Sequence, residues 1–374
     1  MPSERENISI WRTRYMSLQK YFKNFNNKIK MDYEEKSELA SKRDILLKKL
    51  RDSGQLPSFT ELNQGSYSMY TGVEPLDKEY DIDVGLRFKA NKDEYEKATE
   101  LKNKICDILK NHTEYGAKVK KPCVTVTYKK DGEIAYHVDL VVYTYEDKND
   151  SDSQLYLARG KDSKPEEICW EKSDPKGLID LINSKYDDEK EDKNQYRRVI
   201  RYMKRWKNLK FSSSGNAEPP SIGITLIAAE KFEASKEYKC LEEKYYYDDL
   251  DALLKFAKLI QSMFTFVGVS ESGRTLYRIY YNLPSSLNFE PNTDIFKKMS
   301  DIHMTDFKDK IDKLVEDLEE VKEEADEVEQ CRLLNKILGD DFEVPEKKNA
   351  SKKQVNCVPT SSASGVSVYG FGDH

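Results

Sequence analysis

The sequence has no closely spaced pair of cysteines and no long apolar run. Its six cysteines, at positions 106, 123, 169, 240, 331 and 357, include no CxxC pair, so neither a zinc site nor a disulfide framework is indicated. No apolar stretch approaches the roughly 18 residues of a membrane-spanning helix, and the N-terminal segment lacks the pattern of a secretory signal peptide. These absences predict a cytoplasmic protein with reduced thiols and no membrane partner.

The composition is polar but includes enough apolar residues for a sizeable core. Of 374 residues, 35% are charged and 38% hydrophobic, with 24 tyrosines and 14 phenylalanines. A chain of this length is large enough for two lobes.

Three aspartates lie in segments that otherwise favour β-strands. Asp81 and Asp83 belong to the run YDIDVG, and Asp139 belongs to the run HVDLVV. Because successive side chains of a strand alternate between two faces, Asp81 and Asp83 point the same way, while Ile82 and Val84 face a core. Aspartate disfavours strands, so the pattern indicates a function more strongly than it indicates accidental acidic residues on exposed faces.

Converging carboxylates repel one another unless a cation lies between them. Mg²⁺ prefers oxygen ligands and is usually held by one or two carboxylates together with substrate phosphates. The sequence therefore predicts a two-metal site for phosphoryl or nucleotidyl transfer, with Asp81, Asp83 and Asp139 as ligands and Mn²⁺ as the alternative ion.

A turn of small residues precedes the first two aspartates. It contains Gln64, Gly65 and Ser66. Glycine has no Cβ, so Gly65 lets the backbone approach a phosphate closely, and the hydroxyl of Ser66 can donate to a phosphate oxygen. An Asp-x-Asp pair or a Gly-Ser turn alone is a weak signal, but the order of turn, pair and lone aspartate is much more specific.

This order resembles the polymerase-β-type nucleotidyltransferase superfamily. Further segments resemble its CD-NTase branch, the bacterial relatives of cyclic GMP-AMP synthase and oligoadenylate synthase, which makes cyclic oligonucleotide signals in CBASS anti-phage defence. These segments are RRVIRYMKRWK (197–207), PPSIGITLIAAEKF (219–232), NFEPNTDIFKKM (288–299) and LGDDFEVPEKK (338–348). The resemblance implies an α+β fold, in which a polymerase-β-like lobe with a mixed sheet joins a helical second lobe and a long N-terminal spine helix.

The resemblance also implies roles for individual residues. Asp81 and Asp83 would hold the metal ions, and Asp139 would bind the second ion, which activates the acceptor hydroxyl. Lys204 and Ser221 would contact the donor triphosphate, with ATP or GTP as substrates. The alternatives are a nucleotidyltransferase with another acceptor, such as a tRNA, a protein or a small molecule, and a non-catalytic nucleotide-binding relative.

Two features of the animal synthase have no counterpart in this sequence. Its zinc module for duplex DNA is not matched by any ligand cluster, so long duplex DNA is not expected to activate this chain. Its base-stacking tyrosine corresponds to Ile222, which leaves the stacking residue unassigned. The resemblance does not determine the bases, linkage or ring size of the product.

A strongly basic segment lies in the second half of the chain. Residues 193–210 contain eight lysines or arginines and no acidic residue. Such a run is most often a solvated helix face. Here Arg197, Arg201 and Lys204 adjoin an apolar stripe at helical spacing, which favours a wall that binds an anion such as triphosphate.

Apolar periodicity predicts a long helix near the N-terminus, with Trp11, Tyr15, Leu18, Phe22, Phe25 and Ile29 on its buried side. A second helix is expected to end near Ser53. Further on we expect strands at about 80–88, 120–128 and 135–145, a helix at about 95–110, and a helix start at Asp174 and Pro175.

The predicted organisation has three parts. Residues 1–190 would form the N-terminal helices and the catalytic lobe, residues 191–345 the helical lobe, and residues 346–374 a disordered tail rich in Ser, Gly and Lys. A solubilising role is the simpler interpretation of the tail. Its apolar tip at 368–372 favours a second one, a handle for a CBASS accessory protein.

Overall fold

A computed structural model describes residues 18–31, 37–76, 80–130, 133–212, 215–291 and 293–346. The predicted spine-helix residues Trp11 and Tyr15 and nearly all of the predicted tail lie outside these ranges. Among the described residues, no helix combines the length and the hydrophobicity that crossing a bilayer requires.

Most strands lie in the first half of the described chain, and helices dominate the second half. The helices are α1 (residues 18–29), α2 (Ser37–Asp52), α3 (Gly65–Ser68), α4 (Glu100–Leu109), α5 (Pro175–Asn183), α6 (Lys190–Lys210), α7 (Ser221–Lys231), α8 (Asp249–Ser262), α9 (Asp301–Glu323) and α10 (Glu327–Leu338). The strands are β1 (Phe59–Asn63), β2 (Tyr80–Asn91), β3 (Ala117–Val119), β4 (Val124–Lys130), β5 (Glu133–Tyr145), β6 (Leu155–Lys161), β7 (Lys164–Ser173), β8 (Lys236–Lys239), β9 (Lys244–Tyr247), β10 (Thr265–Val269) and β11 (Thr275–Arg278).

The first seven strands form one mixed sheet. Its path is β1-β2-β5-β4-β3, and β6 joins β5 to β7. β2 and β5 run parallel, whereas the other neighbours in this sheet are antiparallel. The predicted mixed sheet is therefore confirmed.

One face of the sheet is buried beneath α2 and α4. Alternate residues of β2 and β5, among them Ile82, Val84 and Val138, share a core with Leu46 of α2 and Ile105 of α4. Ile82 is only 2% exposed and Val84 is fully buried, as the alternation predicted. The other residues of β2 and β5 therefore point to the opposite face.

The second core surrounds α6. Tyr202 of α6 is fully buried, and its ring lies 5.4 Å from those of Phe22 and Phe25 in α1. α1 and α5 contribute to this core together with α7, α8, α9 and α10. The described part of the predicted N-terminal helix thus packs on the helical core, and the lobe boundary at residue 190 stays a prediction.

Several local predictions are confirmed, and some elements differ. Asp174 caps α5, because its carboxylate accepts from the N–H of Gly177 at 2.8 Å and Pro175 follows it. The strand expected from residue 120 begins only at Val124. Pro122, which has no N–H to give to a ladder, explains the later start. Pattern reasoning missed the hairpins β8–β9 and β10–β11.

Candidate active site

The three predicted aspartates lie on the face of the sheet opposite α2 and α4. In the parallel pairing of β2 with β5, Asp83 lies directly opposite Asp139, and Asp81 lies opposite His137. Asp81 is exposed, whereas Asp83 and Asp139 are half-buried. Because neighbouring strands are about 4.8 Å apart, this register brings carboxylates of two strands to one place.

The charges at this face interact. Burial and, after it, the negative charges of Asp139 and Asp81 raise the pKa of Asp83 to about 6. Asp139 is oriented from the neighbouring strand β4, where the hydroxyl of Thr125 donates to its carboxylate. The arrangement is thus a set of like charges held together by the sheet.

The small-residue turn lies against Asp83. The N–H of Gln64 donates to the carbonyl of Asp83 at 3.0 Å, and its side-chain amide donates to the hydroxyl of Tyr143 at 2.8 Å. Gly65 has a φ of +67°, and a Cβ at this position would overlap the Asp83 carboxylate. Only glycine combines this backbone conformation with such a close approach. Half-buried Ser66 follows Gly65 in the short helix α3.

The donor set fits a divalent cation. A cation would offset the repulsion that contributes to the raised pKa of Asp83. Within the described ranges, no three His, Cys, Asp or Glu side chains are arranged to hold an ion by themselves. Mg²⁺ commonly takes its remaining ligands from substrate phosphates and water, and the turn predicted to bind phosphates lies beside Asp83.

Comparison with known proteins agrees with this geometry. Residues 58–143, which include the turn and all three aspartates, match the family model described as "Cyclic GMP-AMP synthase DncV-like, nucleotidyltransferase domain". A cyclic GMP-AMP synthase of Escherichia albertii is 30% identical over 176 residues. Residues 58–143 are therefore assigned to a DncV-like nucleotidyltransferase domain. The aligned part is 45% of this chain and 36% of the E. albertii protein, so it spans little more than a third of that relative.

Solved CD-NTase structures share the fold. Vibrio cholerae DncV, in complex with nonhydrolyzable GTP, gives a TM-score of 0.62 at 18% identity, over 86% of this chain and 96% of that one. Escherichia coli MS115-1 CdnC with ATP gives 0.61 at 17% identity, over 87% of this chain and 98% of that one. The predicted α+β nucleotidyltransferase architecture is confirmed.

The fit between Gly65 and Asp83 leads to a first testable prediction. Gly65→Ala is expected to reduce nucleotidyl transfer strongly, by about tenfold or more, because the new methyl group displaces the Asp83 carboxylate. The alanine also has to adopt a left-handed backbone conformation, which costs roughly 1–2 kcal/mol of stability. Initial rates of pyrophosphate release from NTPs measure the effect.

Gly54 supplies a matched control for this experiment. It has a similar φ of +63°, but nothing lies within 4 Å of the position of its Cβ. Because the new alanine has to adopt the same left-handed conformation, Gly54→Ala should lower the stability by a comparable amount. It should leave the rate of pyrophosphate release unchanged. If both variants lost activity in proportion to their loss of stability, the contact with Asp83 would not be the cause.

The two residues predicted to bind triphosphate from the helical lobe lie on different elements. Lys204 of α6 is buried, and its ammonium donates to the carbonyl and hydroxyl of Thr71 at 3.1 and 2.9 Å. Burial, together with the charges of Arg201 and Lys207, lowers the pKa of Lys204 to about 7. Ser221 is the first residue of α7 and is half-buried. Direct contact of either residue with a phosphate stays a prediction.

The basic segment is not a solvated helix face. Arg198, Arg201 and Lys204 are all at most 7% exposed, and each has a hydrogen-bond partner within the protein. Arg197 lies over the ring of Tyr70, with its guanidinium 4.6 Å from the ring centroid. The predicted stripe of cations therefore exists, and it lies against the chain segment that follows α3.

Sequence reasoning missed four polar residues around the site. They are Thr71, Thr125, Tyr143 and Asn183. Tyr143 lies four residues after Asp139, so strand alternation alone places it on the same face. Thr125 could have been found only with the β4–β5 register, and Thr71 and Asn183 only with the packing of α5 and α6 on the turn.

Proposed function

We propose that this chain is a CD-NTase, which joins nucleoside triphosphates into a cyclic di- or trinucleotide. One observation carries the proposal: Asp83 and Asp139 are paired across parallel strands, with Gly65 in contact with Asp83. The carboxylates thus lie beside the small-residue turn that we propose as the phosphate-binding segment. The family relationship supports the same chemistry.

The geometry supports a proposed role for each of the chain's own site residues. The turn at Gly65 and Ser66 receives the donor phosphates, and Ser66 donates to them. Asp81, Asp83 and Asp139 hold the divalent ions, while Thr125 keeps Asp139 in place from β4. When bound, Mg²⁺ or Mn²⁺ neutralises phosphate charge and lowers the pKa of the attacking hydroxyl.

The proposal extends to substrates and biological setting. We expect ATP, GTP or both as substrates, a cytoplasmic location, and a role in CBASS anti-phage signalling. The predicted accessory-protein handle, the apolar tip at 368–372, lies outside the described ranges and stays a hypothesis. Its test is truncation near Ala350, which should preserve synthesis by the purified enzyme and weaken protection against phage.

One incubation tests the reaction itself. The full chain is mixed with all four NTPs and Mg²⁺, treated with phosphatase, and the resistant products are identified by mass. Cyclic products are the expected result. Labelling of an added RNA or protein, with no cyclic product, would instead assign a different acceptor, and absence of pyrophosphate release would indicate a binding protein.

Ser221 provides a separate test of the donor site. Ser221→Ala is expected to raise the KM for NTP by about 2- to 10-fold, the size of one lost hydrogen bond, with little change in Tm. The variant keeps the backbone carbonyl of residue 221, which accepts from the hydroxyl of Thr225 at 2.9 Å. Alanine also favours a helix. An unchanged KM would remove Ser221 from the donor site.

A further inference from the structure

The helix α3, which carries Gly65 and Ser66, is held at both ends by different parts of the molecule. At its N-terminal end, Gln64 is fixed to the sheet by hydrogen bonds to Asp83 and Tyr143. The C-terminal end of any helix leaves backbone carbonyls without partners inside the helix. In α3 and the residues just after it, these carbonyls face α5 and α6.

Three side chains satisfy these carbonyls. Asn183 at the end of α5 donates through Nδ2 to the carbonyl of Ser68 at 2.9 Å. Arg201 of α6 donates through Nη1 to the carbonyl of Tyr70 at 2.7 Å. Lys204 donates to the carbonyl of Thr71 at 3.1 Å. The helical core therefore caps the end of α3 that the sheet does not hold.

The capping donors are themselves fixed. Arg201 is only 5% exposed and also donates to the side chain of Asn26 in α1 at 2.8 Å. The carboxamide oxygen of Asn183 accepts from Arg197 at 3.2 Å. Met69, between the capped carbonyls, is 5% exposed and belongs to the core around α6. The C-terminal end of α3 thus takes its position from the helical core.

A direct bond connects this end to the predicted phosphate-binding residue. The N–H of Thr71 donates to the carbonyl of Ser66 at 3.1 Å. Tyr70, between them, has a φ of +55°, a left-handed conformation that costs a tyrosine roughly 1–2 kcal/mol. The contacts made by Arg201 and Lys204 hold the chain in this conformation.

We propose that Asn183 and Arg201 are positioning residues, which hold Ser66 and Gly65 in place beside Asp83 by fixing the far end of α3. This assignment rests on the proposed function, because it takes the turn to be the phosphate site. Neither residue needs to touch the nucleotide. Loss of either bond lets the turn move relative to the carboxylates, which weakens NTP binding and misaligns the reacting phosphate.

Asn183→Asp tests the proposal with almost no change in shape. The new carboxylate faces the carbonyl of Ser68 without a hydrogen to donate, and its other oxygen can still accept from Arg197. In the full chain with Mg²⁺, the affinities for ATP and for GTP are measured by calorimetry. For whichever of the two nucleotides the wild-type protein binds, we expect the affinity of the variant to be about 3- to 10-fold lower, the size of one lost hydrogen bond.

Asn335→Asp is the matched control. Asn335 is also half-buried, and its Nδ2 donates to the carbonyl of Phe342 at 2.9 Å near the end of α10. Asn335→Asp should lose a similar amount of unfolding free energy to Asn183→Asp, and it should keep the wild-type affinity for NTP. Asn183→Leu, which removes the donor without adding charge, serves as the second variant if Asn183→Asp does not fold.

A double-mutant cycle with Ser66→Ala separates positioning from simple destabilisation or charge repulsion. If Asn183 acts through Ser66, Asn183→Asp should cost little further affinity once the Ser66 hydroxyl is gone. Equal losses in both backgrounds, or equal losses from Asn183→Asp and Asn335→Asp, would overturn the proposal. Should Ser66→Ala alone leave affinity unchanged, the phosphate site itself is wrongly assigned and the positioning role fails with it.

Discussion

Asp83→Asn is expected to abolish nucleotide transfer and, at neutral pH without metal, to make the protein more stable. The substitution keeps the size of the side chain beside Gly65 but removes a carboxylate from the ion-binding set. It also removes a charge that burial and the carboxylates of Asp139 and Asp81 disfavour. Loss of activity together with gained stability distinguishes a functional carboxylate from a structural one.

The stability effect should depend on pH in a defined direction. The pKa of Asp83 is raised from an ordinary 3.8 to about 6 in the folded protein. Between these values the folded state binds the proton more readily than the unfolded state, so stability falls as pH rises through this window. Above about pH 6 the penalty is complete, of the order of 1–3 kcal/mol, and the variant should lack it.

Thermal unfolding from pH 4 to pH 8 in a chelator measures the stability effect. The same experiment in Mg²⁺ measures the contribution of Asp83 to ion binding. The variant should exceed wild type in Tm above about pH 6 in the chelator, and the two should converge near pH 4. Mg²⁺ should raise the Tm of wild type more than that of the variant. Asp107→Asn, at an exposed position on α4, is the control and should change neither activity nor the Mg²⁺ response. An Asp83→Asn protein with wild-type turnover would end the carboxylate hypothesis.

The face that carries the three aspartates could be predicted from sequence because it depends on one simple rule. Side chains alternate along a strand, so Asp81, Asp83 and the buried residues between them are assigned to faces without knowledge of tertiary structure. The pairing of Asp83 with Asp139 needed only the further assumption that the two strands are neighbours. The parallel register then brings the aspartates together.

The basic helix shows where sequence reasoning fails. Arg201 and Lys204 fit the helical spacing expected of a cationic stripe, but each donates to a backbone carbonyl as well as to a side chain. Any residue type supplies such a carbonyl contact. Nothing in the sequence at Tyr70 or Thr71 therefore identifies these contacts. Burial could not be predicted either. A run of eight cations between residues 193 and 210 is typical of a solvated face, and the tertiary packing of several helices, among them α1, α7, α8 and α10, covers it.

The second large effect is expected at Asp249, which belongs to a buried ionic network with no proposed role in the reaction. Asp249 is fully buried at the start of α8, and its carboxylate accepts from Arg198 at 2.6 and 2.8 Å. Tyr202 and Gln195 donate to the same carboxylate at 2.9 and 3.1 Å. Burial alone would raise the pKa of Asp249, but the hydrogen bond and charge of Arg198, together with the hydrogen bond from Tyr202, hold it below its ordinary value.

Asp249→Asn is therefore expected to reduce the free energy of unfolding by about 3–5 kcal/mol, because it leaves the guanidinium of Arg198 buried without a counter-charge. Many domains are stable by only about 5–15 kcal/mol in total, so the helical core should lose much of its stability. Urea unfolding followed by circular dichroism measures the change. In wild type, this contribution is present above the ordinary pKa of aspartate and disappears as the pH falls through the lowered pKa of Asp249.

Two comparisons decide whether the unpaired charge of Arg198 causes the loss of stability. Glu319→Gln breaks the ion pair between Lys258 and Glu319, whose side chains are 48% and 46% exposed, and should cost at most about 1 kcal/mol. The double variant Arg198→Met, Asp249→Leu removes both charges, and it should be more stable than Asp249→Asn although it loses more hydrogen bonds. If the double variant is the less stable of the two, the hydrogen bonds of the network, and not the unpaired charge, account for the loss.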